Sequence, residues 1–237
     1  RGRPVIVATL TGLGPNAAVL SETVTLDTHI GDVVSLLERE NLRDVILVGH
    51  SYAGLVITGV AEHSRDRIRH LVYVDALVPE HGQSGWDLLP QPTRNTFRKL
   101  ADEGGGWRMS ANDRLVDLWG LEQGPARQFV EARLCDFTIR SFEQVHNAPT
   151  RAADRLPRTY IASVKEHYPA KIVFDPFAAR ARRPASTSRT AVLRTADWSA
   201  ADRRASSASR RTILSSSPSQ SALMARRTRV STSRGSR

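Results

Sequence analysis

The stretch Asp44-Val45-Ile46-Leu47-Val48-Gly49-His50-Ser51-Tyr52-Ala53-Gly54 constrains this chain more than any other. Val45 to Val48 read as a buried strand that runs into a corner of small and polar residues. Leu55, Val56, Ile57 and Val60 then follow as a helix that is apolar on most sides. A serine on a strand-to-helix turn, with Gly49 two positions before it and Ala53 two after, has the pattern of a nucleophile elbow. The small flanks let the backbone turn sharply, and the helix aims its unpaired N–H groups and positive dipole end at the serine. Ser51 is therefore the candidate nucleophile, and an oxyanion formed there would face those N–H groups.

The flanking chain repeats this punctuation. Pro4 to Thr9 is a compact apolar run that ends in the loop Thr11-Gly12-Leu13-Gly14-Pro15-Asn16, which predicts a buried strand and a turn. Leu26, Ile30, Val33, Val34 and Leu37 fall at helical spacing with Asp32, Glu38 and Arg39 between them, an amphipathic helix. The strand at 45–49 lacks polar alternation, as in a parallel sheet covered on both faces. Leu71-Val72-Tyr73-Val74 is a further strand, and the order strand, helix, strand, helix, strand implies an α/β fold with right-handed crossovers.

From Pro79 to Pro157 aromatic and apolar residues such as Trp86, Phe97, Trp107, Trp119 and Phe129 occur among polar ones, interrupted by Gly104-Gly105-Gly106. This reads as a small helical cap over the end of the sheet, shaping an apolar pocket, although each aromatic is equally well explained as core. Arg158-Thr159-Tyr160-Ile161-Ala162 resumes a strand, and Asp175 to Arg183 reads as a short helix. The expected organisation is a domain at 1–183 with a cap at about 79–157, then a tail at 184–237 rich in Ser, Arg, Ala and Thr. With few large apolar residues and no sustained period, that tail is expected to be disordered.

The net charge of +10 is almost wholly terminal. Residues 180–237 carry 14 Arg against 2 Asp, a charge of +12, and the first 179 residues sit at −2. A nonspecific polyanion-binding role through the tail is the alternative reading; apart from Trp198 no aromatic platform interleaves the arginines, so no specific nucleic-acid partner is expected. Cys135 is the lone cysteine, which excludes an internal disulfide and fits a reducing, cytoplasmic setting. No apolar run of about 18 residues or signal-peptide pattern is present, and no membrane association is expected. The chain opens on Arg1, which leads to the expectation of a missing upstream segment.

Four blocks in order resemble the α/β-hydrolases of the plant methylesterase and hydroxynitrile lyase type and their bacterial esterase relatives. They are Thr9-Leu10-Thr11-Gly12-Leu13-Gly14, Leu26-Asp27-Thr28-His29-Ile30-Gly31-Asp32-Val33, the elbow at Leu47 to Gly54, and Val72-Tyr73-Val74-Asp75-Ala76-Leu77-Val78-Pro79. Weaker similarity continues through Arg133-Leu134-Cys135, Ser141-Phe142, Arg158 to Ile161 and Pro176-Phe177-Ala178, so the resemblance covers about residues 1–183. It implies an α/β-hydrolase fold, a mostly parallel sheet with helices on both faces and a helical cap. The implied activity is hydrolysis of a small-molecule carboxylic ester without cofactor or metal.

On that resemblance Ser51 is the nucleophile and the backbone N–H of Tyr52 one oxyanion donor. In relatives a second donor comes from a His-Gly loop that precedes the first strand seen here. Asp75, at the end of the strand after the elbow helix, is a candidate acid at the carboxyl edge of the sheet. In relatives the acid more often follows the later strand, where Glu166 and Asp175 are the nearby carboxylates. The family order Ser, acid, His calls for a late histidine, and residues 168–237 contain none. His167 is the last; His29, on the polar side or edge of its helix, and His50 read as structural, and His63, His70, His81 and His146 lie in no motif. The base is therefore unassigned, and little or no esterase activity is expected. The late Arg-rich composition is that expected of a GC-rich coding sequence read out of frame. A dinucleotide-binding turn, suggested by Gly49, Gly54 and Asp75, is disfavoured because His50-Ser51-Tyr52 would block a pyrophosphate.

Overall fold

The computed structural model describes residues 4–162, 173–174, 176–177, 192–194 and 212–215. The chain enters as β1 (Ile6–Ala8), then α1 (Leu26–Arg39), β2 (Val45–Ser51), α2 (Ala53–Ser64) and β3 (Ile68–Ala76). α1 starts where the Thr25 N–H donates to Thr28 Oγ1 at 3.1 Å, and it buries Leu26, His29, Ile30, Val33 and Leu37 along one stripe. α2 is buried continuously from Ala53 through Ala61, as its apolar circumference requires. Gly59 lets the two helices close up, since a Cβ there would strike the Ile30 side chain.

Between β3 and the next sheet strand lies the cap, made of α3 (Gly85–Leu88), α4 (Gln91–Glu103), β4 (Arg108–Met109), α5 (Asp113–Leu118), α6 (Pro125–Glu131), β5 (Phe137–Thr138) and α7 (Arg140–Glu143). β4 and β5 form an antiparallel ribbon that the helical reading of this segment did not anticipate. The turn into it needs the glycine triplet: Gly105 and Gly106 have φ of 78° and 85°, and a Cβ on Gly104 would overlap the Arg108 carbonyl. Leu89, Leu100, Met109, Phe137, Ile139 and Phe142 join the same apolar cluster as the sheet and α2, so the cap and sheet share one core.

The chain returns as β6 (Arg158–Ala162) and adds β7 (Val192–Arg194) and β8 (Thr212–Ser215). The sheet order is β1-β8-β2-β3-β6-β7, and every pairing in it is parallel. The face turned toward α2 is closed, with Leu47, Leu71, Tyr73 and Tyr160 buried; the alternate positions Ile46, Val72, Val74 and Ile161 are half-buried among the described residues. Val173, Phe174, Pro176 and Phe177 are helical, and the rest of the helix expected at 175–183 lies outside the described residues. Among the described residues no helix is long and apolar enough to cross a membrane.

β7 and β8 fall in the stretch whose pattern suggested no regular structure. The crossover from β1 to β2 skips one position in the sheet, and β8 fills it: Ile213 is level with both Ile6 and Leu47. A strand in that slot pairs its main-chain groups on both sides, a demand that side-chain periodicity does not report. The remainder of 184–237 lies outside the described residues.

A chain ending at residue 211 lacks β8 and leaves facing rows of N–H and C=O groups on β1 and β2 unpaired. Its urea unfolding, followed by circular dichroism, is expected to shift to lower denaturant or lose cooperativity. An unchanged transition would show that β8 does not hold the sheet together.

Candidate active site

Ser51 ends β2 with φ of 54°, a left-handed conformation that an L residue adopts only under constraint. The surrounding contacts supply that constraint. The Ser51 carbonyl accepts from the Leu77 N–H at 3.1 Å, and Leu55 N–H donates to the Tyr52 carbonyl at 2.9 Å, so the corner is tied to the end of β3 and to the first turn of α2. A Cβ on Gly49 would lie 2.6 Å from the Ala53 carbonyl oxygen, so glycine is required there. Ala53 is fully buried, and Gly54 proves as restrictive as Gly49, because its Cβ would overlap the Leu77 carbonyl and come 2.9 Å from Ala76 Cβ. This second glycine is set by the approach of α2 to β3, which local spacing does not reveal.

Asp75 lies on a bulge level with the elbow. His50 pairs with Val74 and Ser51 with Ala76, so Asp75 is the extra residue, and its φ is 36°. Two non-glycine residues with positive φ, Ser51 and the bulged Asp75, thus lie at the same end of the β2–β3 ladder. Glu166, His167 and Asp175, the other residues considered for acid and base, lie outside the described residues.

Tyr52, whose N–H is the candidate oxyanion donor, has a buried side chain at the centre of an aromatic group. Its ring meets Phe137 edge-on with centroids 5.0 Å apart and Phe142 at 5.0 Å, both from the cap. Its hydroxyl lies 2.8 Å from His29 Nδ1, and His29 Nε2 lies 3.0 Å from the Thr11 carbonyl. A carbonyl only accepts, so Nε2 carries the hydrogen and Nδ1 accepts from the tyrosine. The Asp32 carboxylate in turn accepts from Thr11 N–H at 2.7 Å and from its hydroxyl at 2.9 Å. Burial holds the Tyr52 phenol far above its ordinary range, only partly offset by the Ser141 hydroxyl, and it stays a donor.

His29 is therefore fully buried rather than at a polar edge of α1. None of the other described histidines hydrogen-bonds Ser51. His50 is half-buried with its Nδ1 enclosed and unpartnered, and desolvation drives its pKa down to about 4. His70 Nε2 meets Thr159 Oγ1 at 2.9 Å near the start of β3, and His81 Nδ1 accepts from Ala148 N–H at 3.1 Å. His146 is buried beside the Gly59 notch of α2 with neither ring nitrogen bonded, and His63 lies at the end of α2. Among the described residues no side chain hydrogen-bonds the Ser51 hydroxyl.

Comparison with known proteins matches residues 1–232 to the profile of the alpha/beta hydrolase family. A carbendazim hydrolyzing esterase from Nocardioides sp. (strain SG-4G) is 57% identical over 90 residues, which span 38% of this chain and 37% of that enzyme. A pyrethroid hydrolase from Sphingobium wenxiniae is 27% identical over 180 residues, spanning 70% of this chain and 62% of that one. The chain thus spans less than two thirds of either curated relative. Among solved structures, an extracellular alpha/beta-hydrolase from a Paenibacillus species superposes with a TM-score of 0.60 at 19% identity, covering 77% of this chain and 76% of that one. A pyrethroid hydrolase from Sphingobium faniae JZ-2 gives a TM-score of 0.54 at 22% identity, covering 79% of this chain and 77% of that one.

The site's histidines make stability pH-dependent. Desolvation lowers the pKa of His29, His50 and His146 below the ordinary 6.5, so the folded chain binds fewer protons than the unfolded chain in mildly acid solution. Their contribution is complete above about pH 6.5 and is lost as pH falls toward each folded value, at about 1.4 kcal/mol per unit per group. The urea midpoint, read by tryptophan fluorescence, is expected to fall steadily from pH 7.5 to pH 5. A flat or rising midpoint would contradict the burial of neutral rings.

Proposed function

Because the chain belongs to the alpha/beta hydrolase family, we propose that its elbow is a serine esterase site acting on small carboxylic esters. The left-handed backbone of Ser51, between a glycine that admits no Cβ and the first turn of α2, is the observation that carries this reading. Ser51 Oγ attacks the ester carbonyl, and the Tyr52 N–H, free of a backbone acceptor among the described residues, receives the developing oxyanion. The bulged Asp75 is the candidate acid. Phe137 and Phe142, packed on Tyr52 from the cap, favour esters bearing an apolar or aromatic group, and the two curated relatives are named as a carbendazim hydrolyzing esterase and a pyrethroid hydrolase. The unpaired Cys135 supports a cytoplasmic setting.

None of the described histidines hydrogen-bonds Ser51, and a serine without a general base is a poor nucleophile, so acylation is expected to be slow. Hydrolysis of p-nitrophenyl acetate and benzoate by this chain is expected below about 10⁻² s⁻¹, against the ~10 s⁻¹ typical of enzymes. The Ser51→Ala variant is expected to abolish it. Faster turnover that still depends on Ser51 would mean that a base outside the described residues completes the site; a rate unchanged in Ser51→Ala would remove the assignment. The +12 charge on residues 180–237 favours a second reading, nonspecific polyanion binding, which salt would abolish and Ser51→Ala would leave untouched.

A further inference from the structure

We infer that half-buried Asp32 and Thr11 and buried His29 and Tyr52 form a relay that positions the oxyanion donor, with His29 and Tyr52 as positioning residues rather than members of a proton-transfer triad; this rests on the esterase reading of the elbow. The relay gives a role to the block Leu26 to Val33, which the assignment of Ser51 leaves unused.

The geometry runs in one direction. Asp32 grips both the N–H and the hydroxyl of Thr11, at 2.7 and 2.9 Å, and so fixes the loop after β1 to α1. Gly12, the next residue, has φ of 80° and no room for a Cβ against Leu20, so the loop turns at that point. The Thr11 carbonyl then receives the His29 Nε2–H, and His29 Nδ1 receives the Tyr52 hydroxyl. Tyr52 is the residue that links the left-handed Ser51 to α2, with φ and ψ of −51° and −37°. Rotation about its backbone moves its N–H relative to Ser51 Oγ, and its side chain is the lever that resists this.

Packing alone would not call for these groups. Phenylalanine would fill the same space against Phe137 and Phe142, and each buried polar atom added at 29 and 52 is a liability unless paired. Both nitrogens of His29 and the hydroxyl of Tyr52 are paired, which pins one tautomer and one ring orientation. Proton transfer is a poor alternative, because burial depresses His29 and raises Tyr52, and both stay neutral.

The test uses the full chain with a fluorophosphonate probe. Ser51 Oγ forms a bond to phosphorus, the P–F bond breaks, fluoride leaves and the serine proton passes to solvent. The maximal capture rate and the probe's half-saturation concentration are measured for wild type, Tyr52→Phe, His29→Leu and His29→Gln, together with melting temperature and the ¹⁵N–¹H shift of the residue-52 amide. Tyr52→Phe and His29→Leu are expected to lower the maximal rate about 10-fold to 100-fold with half-saturation unchanged, and to move the amide resonance. His29→Gln, whose carboxamide both donates and accepts, is expected to recover rate and resonance. Melting temperatures that drop while rate and resonance hold would overturn the relay. If wild type captures no more probe than Ser51→Ala, the esterase reading fails and the amide decides alone: movement in His29→Leu with recovery in His29→Gln supports the relay, and an amide that stays in place in His29→Leu refutes it.

Discussion

The left-handed backbone of Ser51 is the constraint on which the rest of the structure turns. Such a conformation costs about 1–3 kcal/mol for a non-glycine residue. It persists because its surroundings outweigh it: Leu55, Val56, Ile57 and Val60 of α2 are fully buried, each worth about 1.5–3 kcal/mol, and they dock only if the corner turns this tightly. Gly49 and Gly54 are the clearances that docking requires, and the Leu77-to-Ser51 hydrogen bond closes the gap at the end of β3. The bulge at Asp75 follows from the same requirement, since β3 takes in one extra residue to stay level with a strand that has turned away.

Around this corner the interior is more polar than an apolar core requires. Tyr52, His29 and Thr11 are joined in sequence, and the two cap phenylalanines close over them. Because every polar atom of this group is paired, it adds definition to the elbow without leaving a buried charge. His50 and His146 are the contrast: each has an enclosed ring nitrogen without a partner, tolerable only while the ring is neutral. The elbow thus lies in a setting that keeps imidazoles uncharged, which suits a rigid scaffold and does not by itself supply a base.

Much of this was legible in the sequence where the signal is local. The strand, corner and helix around Ser51, the stripe of α1 and the strand at Arg158 all show in apolar spacing. The stripe also holds His29, which a pattern of apolar residues passes over because its burial depends on Tyr52 and Thr11, both distant along the chain. Gly54 reads as an ordinary helix residue until α2 is laid against Leu77. The bulge at Asp75 and the insertion of β8 between β1 and β2 depend on register between remote segments. The ribbon of β4 and β5 is too short for alternation to show.

The strain at the elbow is tested most directly by comparing Ser51→Gly with Ser51→Ala in urea. Glycine relieves a left-handed residue and alanine does not, although glycine also loosens the unfolded chain. The account predicts that Ser51→Gly is the more stable variant by about 1 kcal/mol. Equal stability, or a more stable Ser51→Ala, would mean that the corner at Ser51 is not held under strain.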